Sequence, residues 1–294
     1  MKKIGFIGVG IMGRSMVKNL MKAGFELHIY ARTKSKVEDV ISEGAQFHES
    51  IKDCVQDCDA VITIVGFPQD VEEVYFDEGN ILDSAKEGAY LIDMTTTSPQ
   101  IAEKIYAEGT KRGFHVMDAP VTGGDTGAKA GTLSILVGGE KEDYEACMPL
   151  FEAMGTNINY QGKAGCGQHC KLANQIMIAG TLSGVCEALT YAKEQGLDPE
   201  VFMKSVATGA AGSKQLDTFG PKILKDDYAP GFFMKHFIKD MKLALIEANR
   251  KGLSLDVLSM VLANYEELEQ EGYGDLGTQA LMKFYDEEHR NTEE

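Results

Sequence analysis

Short apolar runs and amphipathic stretches alternate through the first half of the chain. KIGFI (3–7), LHIY (27–30), AVITIV (60–65), AYLIDM (89–94), FHVMDA (114–119) and TLSILV (132–137) are the apolar runs. Between them, helical patterns are predicted over 12–23, 34–43 and 99–112, with a further segment of unassigned type around 69–76. An acidic helix is predicted over 140–153, with Tyr144, Met148 and Phe151 at core-facing spacing. Continuous apolar runs separated by helices mark parallel strands buried on both faces.

The pattern changes near residue 162. From Gln168 to Glu194 it is helical throughout and free of proline, with small residues at Ala173, Ala179, Gly180, Ser183 and Gly184. Such a helix is about 40 Å long, more than one small domain needs, so it is expected to join two domains or two subunits. The stretches 198–208, 236–250, 254–270 and 276–287 read as further helices separated by Gly-containing turns. The expected architecture is an α/β chain: a Rossmann-type domain with a mostly parallel sheet over 1–162, then an all-helical domain over 163–294, joined through the long helix.

Composition narrows the function classes. With 294 residues, 44% apolar and 25% charged, the chain is a folded protein rather than a disordered one. Its 29 basic and 45 acidic residues leave a net charge of -16. Generic affinity for nucleic acid or an anionic membrane needs a positive surface, so neither is an expected partner. Half of the imbalance sits in the last 31 residues, with 2 basic and 10 acidic side chains, and the tail EEHRNTEE is expected to be solvated and frayed. The six cysteines include C-x3-C pairs at 54/58 and 166/170, but no second Cys or His pair completes a zinc set. Free thiols in a reducing, cytoplasmic compartment and no metal are the expectation. No run approaches 18 consecutive apolar residues, and the start MKKIGFIGVG breaks at once into glycines.

The sharpest local signal is Gly8-Val9-Gly10-Ile11-Met12-Gly13, which follows the first strand and opens the first helix. In a dinucleotide site the first glycine makes the tight turn, the second lets the pyrophosphate approach, and the third allows close helix–strand packing. The amides of the helix start, from Ile11, Met12 and Gly13, would hold the phosphates. An NAD site usually ends its second strand in Asp or Glu; here LHIY runs into Ala31-Arg32-Thr33, followed by Lys34 and Lys36. Arg32 and Thr33 suit a 2′-phosphate, so NADP is the expected cofactor. NAD is the weaker alternative, if this is only a basic surface turn. Gly66-Phe67-Pro68 is placed to line the nicotinamide side. Thr95 and Thr96, in the segment before Ser98-Pro99, either cap the next helix or meet ligand.

Four blocks make the chain resemble the β-hydroxyacid dehydrogenase family over essentially its whole length. They are GFIGVGIMG (5–13), DAPVTGGDTGAKAGTLSILVGG (118–139), GKAGCGQHCKLANQ (162–175) and FFMKHFIKDMKLA (232–244). The family contains 3-hydroxyisobutyrate dehydrogenase, tartronate semialdehyde reductase and glyoxylate/succinic semialdehyde reductases. The resemblance implies an N-terminal cofactor domain, a helical domain that closes the cleft, and a homodimer or homotetramer. It also implies that Lys171 is the catalytic lysine. Its ammonium would protonate the developing alkoxide as an aldehyde is reduced, and its neutral amine would take the proton in the reverse direction. Thr122, Gly123 and Gly124 are implied to bind a substrate carboxylate; where the threonine segment meets ligand, Thr95 is expected on the substrate and Thr96 on the cofactor. Phe232 is implied to shape the substrate pocket, Lys239 to lie near the cofactor, and Asp240 to position Lys171. Gly162, Gly165 and Gly167 are expected to let backbone and ligand come close.

Two positions depart from the family pattern. Thr122 stands where serine is usual; its hydroxyl remains and its methyl narrows the pocket. Four residues past Lys171 the family commonly has asparagine; here Gln175 follows Asn174. The longer amide reaches a different point, which bears on substrate orientation rather than on reaction type. The expected activity is NADP(H)-dependent interconversion of a small 3-hydroxy acid and its semialdehyde, with 3-hydroxyisobutyrate/methylmalonate semialdehyde first. Glyoxylate, succinic semialdehyde and tartronate semialdehyde reduction are the alternatives. A non-catalytic nucleotide-dependent binding protein is the alternative of another class, opposed by Lys171 and Asp240. The related 6-phosphogluconate dehydrogenases share the expected architecture, but no basic cluster for a phosphorylated sugar acid is evident.

Overall fold

The structure is a computed structural model that describes residues 1–286. The acidic EEHRNTEE tail lies outside the described residues. Contacts divide the chain into two compact units, one ending at Lys171 and the other beginning at Leu172.

The first unit opens with β1 (Lys3–Ile7), α1 (Ile11–Lys22), β2 (Glu26–Tyr30), a 3₁₀ turn at Lys34–Lys36, α2 (Glu38–Ser42) and β3 (Gln46–His48). It continues through α3 (Ile51–Val55), β4 (Ala60–Thr63), α4 (Pro68–Phe76), α5 (Ile81–Ser84), β5 (Tyr90–Asp93) and α6 (Pro99–Lys111). Then come β6 (His115–Asp118), β7 (Val121–Thr122), α7 (Gly124–Ala130), β8 (Leu133–Gly138), α8 (Lys141–Ala146), α9 (Met148–Met154) and β9 (Gly155–Gly162).

Strand order is β3-β2-β1-β4-β5-β6-β8-β7, with β9 paired to β8. The first six strands in that order are parallel throughout. β8 runs back antiparallel to both β6 and β7, and β9 lies parallel to β8. Successive residues of a strand enter opposite cores: Ile62, Ile92 and Met117 pack on one side, Val61, Leu91 and Val116 on the other. That two-sided burial is why the strands read as unbroken apolar runs. Sheet growth reverses between β1 and β4, and the crevice at the carboxyl ends there is where such sheets take ligands.

Several local patterns resolve differently from the sequence reading. The single helix expected over 34–43 is interrupted at Val37, whose backbone leaves helical conformation (φ -126°, ψ 13°) as its side chain enters the core. The helix expected over 140–153 divides at the buried Cys147, where Pro149 starts a new first turn that needs no N–H at that position. α7 and β9 were not anticipated. The two glycines in the seven residues of α7 hide a helix that packs on α1, where Asn19 Nδ2 donates to the Ala128 carbonyl at 2.7 Å.

α10 (Cys166–Glu194) begins in the first unit and runs on into the second. It is followed by α11 (Pro199–Ala207), α12 (Lys214–Ile223), α13 (Met234–Arg250), α14 (Asp256–Gln270) and 3₁₀ segments at Tyr273–Asp275 and Thr278–Tyr285. By length and composition α10 could cross a bilayer. Its Leu172, Ala179, Leu182, Cys186 and Leu189 instead pack with Phe237 and Met241 of α13 and Val261 and Tyr265 of α14. Phe237 and Tyr265 meet edge to face at 5.4 Å. α12 was missed because Gly220 and Pro221 interrupt its pattern. A Cβ on Gly220 would stand 2.5 Å from Met203 Sδ, a contact that the flexible methionine side chain can relieve by moving.

Candidate functional site

The three glycines after β1 do three different things. Gly8 has φ +100°, and a Cβ there would lie 2.0 Å from the Ile64 carbonyl oxygen. Gly13 abuts the same turn, its would-be Cβ 2.1 Å from the Gly8 carbonyl oxygen. Gly10 differs: a Cβ on it would meet nothing within 4 Å. Gly8 and Gly13 are therefore required by the fold, and Gly10 keeps open the approach to the start of α1. Ile11 and Met12 begin that helix, whose first turn carries no acidic residue and whose start has no side-chain cap. Helix amides and dipole, unopposed by a carboxylate, suit an anion. The residues present thus fit a dinucleotide pyrophosphate.

Arg32 and Thr33 follow β2 on the surface. The Arg32 guanidinium pairs with Asp70 and lies 3.4 Å from Glu73 Oε2, and the Asp70 hydrogen bond holds its pKa above the usual range. Asp70 also accepts from the Phe67 amide at 2.9 Å, so the Gly66-Phe67-Pro68 turn and Arg32 share one carboxylate. The sequence signal was Asp at the third position of a helix that opens with proline, a capping position.

At the end of β5, Asp93 is buried and accepts from Thr63 Oγ1 at 2.8 Å and the Thr95 amide at 3.1 Å. Burial pushes its pKa up to about 6, partly offset by the hydrogen bonds from Thr95 and Thr63. Thr95 is buried, and its hydroxyl accepts from the Val65 amide at 3.0 Å. Of the three consecutive threonines, Thr96 alone keeps appreciable exposure.

Asp118, at the end of β6, receives the start of α10. Its Oδ1 accepts from the Gly165 amide at 2.7 Å and its Oδ2 from the Gln168 amide at 2.8 Å. Burial raises the carboxyl's pKa, and those two amides oppose the rise. Gly167 makes the approach possible, because a Cβ on it would stand 2.3 Å from the Leu136 carbonyl oxygen and 2.8 Å from Asp118 Oδ2. The close approach expected of Gly167 is thus backbone against backbone rather than backbone against ligand. These bonds carry the first compact unit past residue 162 to Lys171, which is itself buried. Thr122 ends β7, and Gly123 (φ +130°) and Gly124 (φ +65°) form an exposed glycine turn into α7.

Within the helical unit, Gln175 is buried and its amide is engaged at both ends. Asn174 Nδ2 donates to its Oε1 at 2.8 Å, and its Nε2 donates to Asp240 Oδ2 at 2.7 Å. Lys239 Nζ lies 3.0 Å from Asp240 Oδ1. Phe232 is exposed at 37% and stacks on His236 with ring centroids 6.3 Å apart.

Comparison with known proteins bears on the whole chain. Residues 3–162 match the family model described as the NAD binding domain of 6-phosphogluconate dehydrogenase, and residues 165–285 that of the NAD-binding domain of NADP-dependent 3-hydroxyisobutyrate dehydrogenase. An uncharacterized oxidoreductase of Bacillus subtilis is 49% identical, covering 97% of this chain and 99% of its own. The chain belongs to the β-hydroxyacid dehydrogenase family. A probable mitochondrial 3-hydroxyisobutyrate dehydrogenase-like protein of Arabidopsis thaliana is 45% identical over 95% of this chain and 84% of its own. The solved structure of Mycobacterium tuberculosis 3-hydroxyisobutyrate dehydrogenase with L-serine superimposes with a TM-score of 0.89 at 27% identity, covering 97% and 99% of the two chains. This β-hydroxyacid dehydrogenase is accordingly an NAD(P)-dependent oxidoreductase of the hydroxyacid and semialdehyde class. Sequence reasoning missed Asp70 and Gln168, and it named Asn174, Gln175 and Asp240 without their bonds to one another, because each bond is recognised only by its partner.

Proposed function

We propose that this β-hydroxyacid dehydrogenase uses NADP(H) to interconvert a small 3-hydroxy acid and its semialdehyde, with 3-hydroxyisobutyrate and methylmalonate semialdehyde as the first pair. One arrangement carries the reading. The Gly8–Gly13 turn, the Thr95–Thr97 segment and the turn of α10 that bears Lys171 all stand at the carboxyl edge of one sheet, after β1, after β5 and bonded to the end of β6.

A nicotinamide bound there would supply or accept the hydride. The start of α1 holds the pyrophosphate past Gly10, and Arg32 with Thr33 holds the 2′-phosphate. Thr122, Gly123 and Gly124 bind the substrate carboxylate through a hydroxyl and backbone amides. The Lys171 ammonium donates a proton to the developing alkoxide; in oxidation its neutral amine takes the proton from the hydroxyl. Asn174 meets the substrate, Phe232 shapes its pocket and Lys239 lies near the cofactor, the last two as the family resemblance implies. The other small semialdehydes remain the alternatives, because a carboxylate and an aldehyde are common to all of them. NAD stays a second cofactor reading, favoured by the two carboxylates already held at Arg32. A homodimer or homotetramer goes with this reading, supported by exposed Met177 and Tyr191 on α10, as does a cytoplasmic location.

The test is oxidation of NADPH and of NADH with methylmalonate semialdehyde, tartronate semialdehyde, glyoxylate and succinic semialdehyde, for wild type, Lys171→Ala and Arg32→Ala. Expected are NADPH preference, one favoured aldehyde, a loss of at least about 100-fold without the lysine, and loss of the NADPH preference without Arg32. Background rates with every aldehyde, alongside intact NADPH binding, would overturn the substrate class.

A further inference from the structure

We infer that Gln168 is a positioning residue for Lys171, clamping the turn of α10 that carries the lysine to the backbone on either side of Thr96. The inference rests on the assignment of Lys171 as proton donor made above. Gln168 is fully buried, and both ends of its amide are used. Nε2 donates to the Thr95 carbonyl at 2.7 Å, and Oε1 accepts from the Thr97 amide at 2.9 Å. The opposite orientation would set donor against donor at Thr97 and acceptor against acceptor at Thr95, so the partners dictate which way the amide points.

Two anchors act on this turn in different directions. The Asp118 carboxylate takes the Gly165 and Gln168 amides at the head of the helix, which sets the helix along its axis. A bond at the head resists rolling about that axis only weakly. The Gln168 side chain reaches sideways to the Thr95–Thr97 segment, and Thr95 is itself tied to Asp93 and Val65 at the ends of the central strands. Lys171 lies three residues on, less than one turn later. A side-chain tip about 6 Å from a helix axis moves about 1 Å for a 10° roll, and a displacement of about 1 Å is enough to lose about 100-fold in rate. The clamp therefore restrains a motion that would carry the Lys171 ammonium out of place.

A buried glutamine could also serve stability alone, and a mutant cycle separates the two roles. Gln168→Met keeps the shape and removes both bonds. It is made alone and together with Lys171→Ala, with kcat, KM for the aldehyde, NADPH affinity by fluorescence titration, and thermal midpoint measured for each. The expected result is a fall in kcat of about 30-fold or more, with KM and NADPH affinity within about threefold of wild type. On the Lys171→Ala background the same substitution should change the residual rate by less than about twofold, because the group it positions is gone. Folded Gln168→Met with wild-type kcat, or losses that multiply in the double variant, would overturn the inference. If Gln168→Met does not fold, Gln168→Glu keeps the acceptor for Thr97, loses the donor to Thr95 and carries the same cycle. Lys171→Ala with wild-type kcat would remove the lysine assignment and the positioning role together, a result distinct from failure of the cycle.

Discussion

Gln175 donates its amide to Asp240 across 2.7 Å in the interior of the helical unit, and neither side chain is more than 2% exposed. The amide that departs from the family pattern is therefore bonded within the protein, with Asn174 as its other partner. Asp240 also faces the Lys239 ammonium at 3.0 Å. A buried carboxylate between an amide and an ammonium is stabilising only while every member is present. Asp240→Ala is expected to lose about 3–5 kcal/mol in urea denaturation, because it strips a partner from both Gln175 and Lys239. Asp240→Asn, which can still accept from Gln175, should lose less. Equal, small losses in the two variants would show that this carboxylate does not anchor the unit.

The three glycines of the nucleotide turn should separate under alanine substitution. Gly8→Ala and Gly13→Ala force a Cβ to within about 2 Å of backbone oxygen, so both should lower the thermal midpoint by more than about 5 °C or fail to fold. Gly10→Ala meets no protein atom and should keep the wild-type midpoint. It should nevertheless weaken NADPH binding by about tenfold or more, since its methyl would stand where the pyrophosphate is proposed to approach. Calorimetric titration with NADPH checks this, and undiminished affinity in Gly10→Ala would place the phosphates elsewhere.

Asp93 makes stability depend on pH with a definite sign. Burial raises its pKa to about 6, above the ordinary value of 3.8, so the folded state disfavours the ionised form. Its contribution is fully present below pH 3.8 and is lost as pH rises through about 6. Asp93→Asn keeps an acceptor for Thr63 and Thr95 and carries no charge. Relative to wild type it should gain stability between about pH 4 and pH 6.5, measured by denaturant unfolding across that range. An unchanged difference between the two proteins over the range would exclude Asp93 as the titrating group.

The six cysteines are all free thiols, and their reactivity should divide by burial. Cys54, Cys147 and Cys186 are buried, and burial pushes their pKa values well up; Cys58 is raised to about 12 by burial, with the Asp59 charge adding to it. Thiolates are the reacting species, so at pH 8 a thiol reagent should label Cys166 first, then Cys170, whose pKa burial also raises, and the other four only after unfolding. Rapid native labelling of a third cysteine, located by peptide mapping, would mean that one of the packed cores opens readily.

The alternation of strands and helices was legible because two-sided burial writes itself into sequence as continuous apolar runs such as AVITIV. The nucleotide turn was legible for a related reason: the demand for a missing Cβ at Gly8 and Gly13 is met by one residue type, at fixed spacing. The helix breaks at Val37 and Cys147 were not, since helical periodicity continues through both while the core claims the side chain. Arg32 was legible as a cation after β2, but not as one already held by Asp70 and Glu73.

By itself the sequence determined the class of fold, the glycine chemistry of the cofactor turn, and the position of Lys171 in its block. These are properties of neighbouring residues, set by backbone freedom, periodicity and local motif. Tertiary structure alone decided what the polar residues do. Asp118 meets the Gly165 amide 47 positions away, Thr97 meets Gln168 at 71, and Gln175 meets Asp240 at 65. A buried carboxylate or amide is stable only with a partner, and its partner is chosen by which elements pack together, which no local pattern specifies.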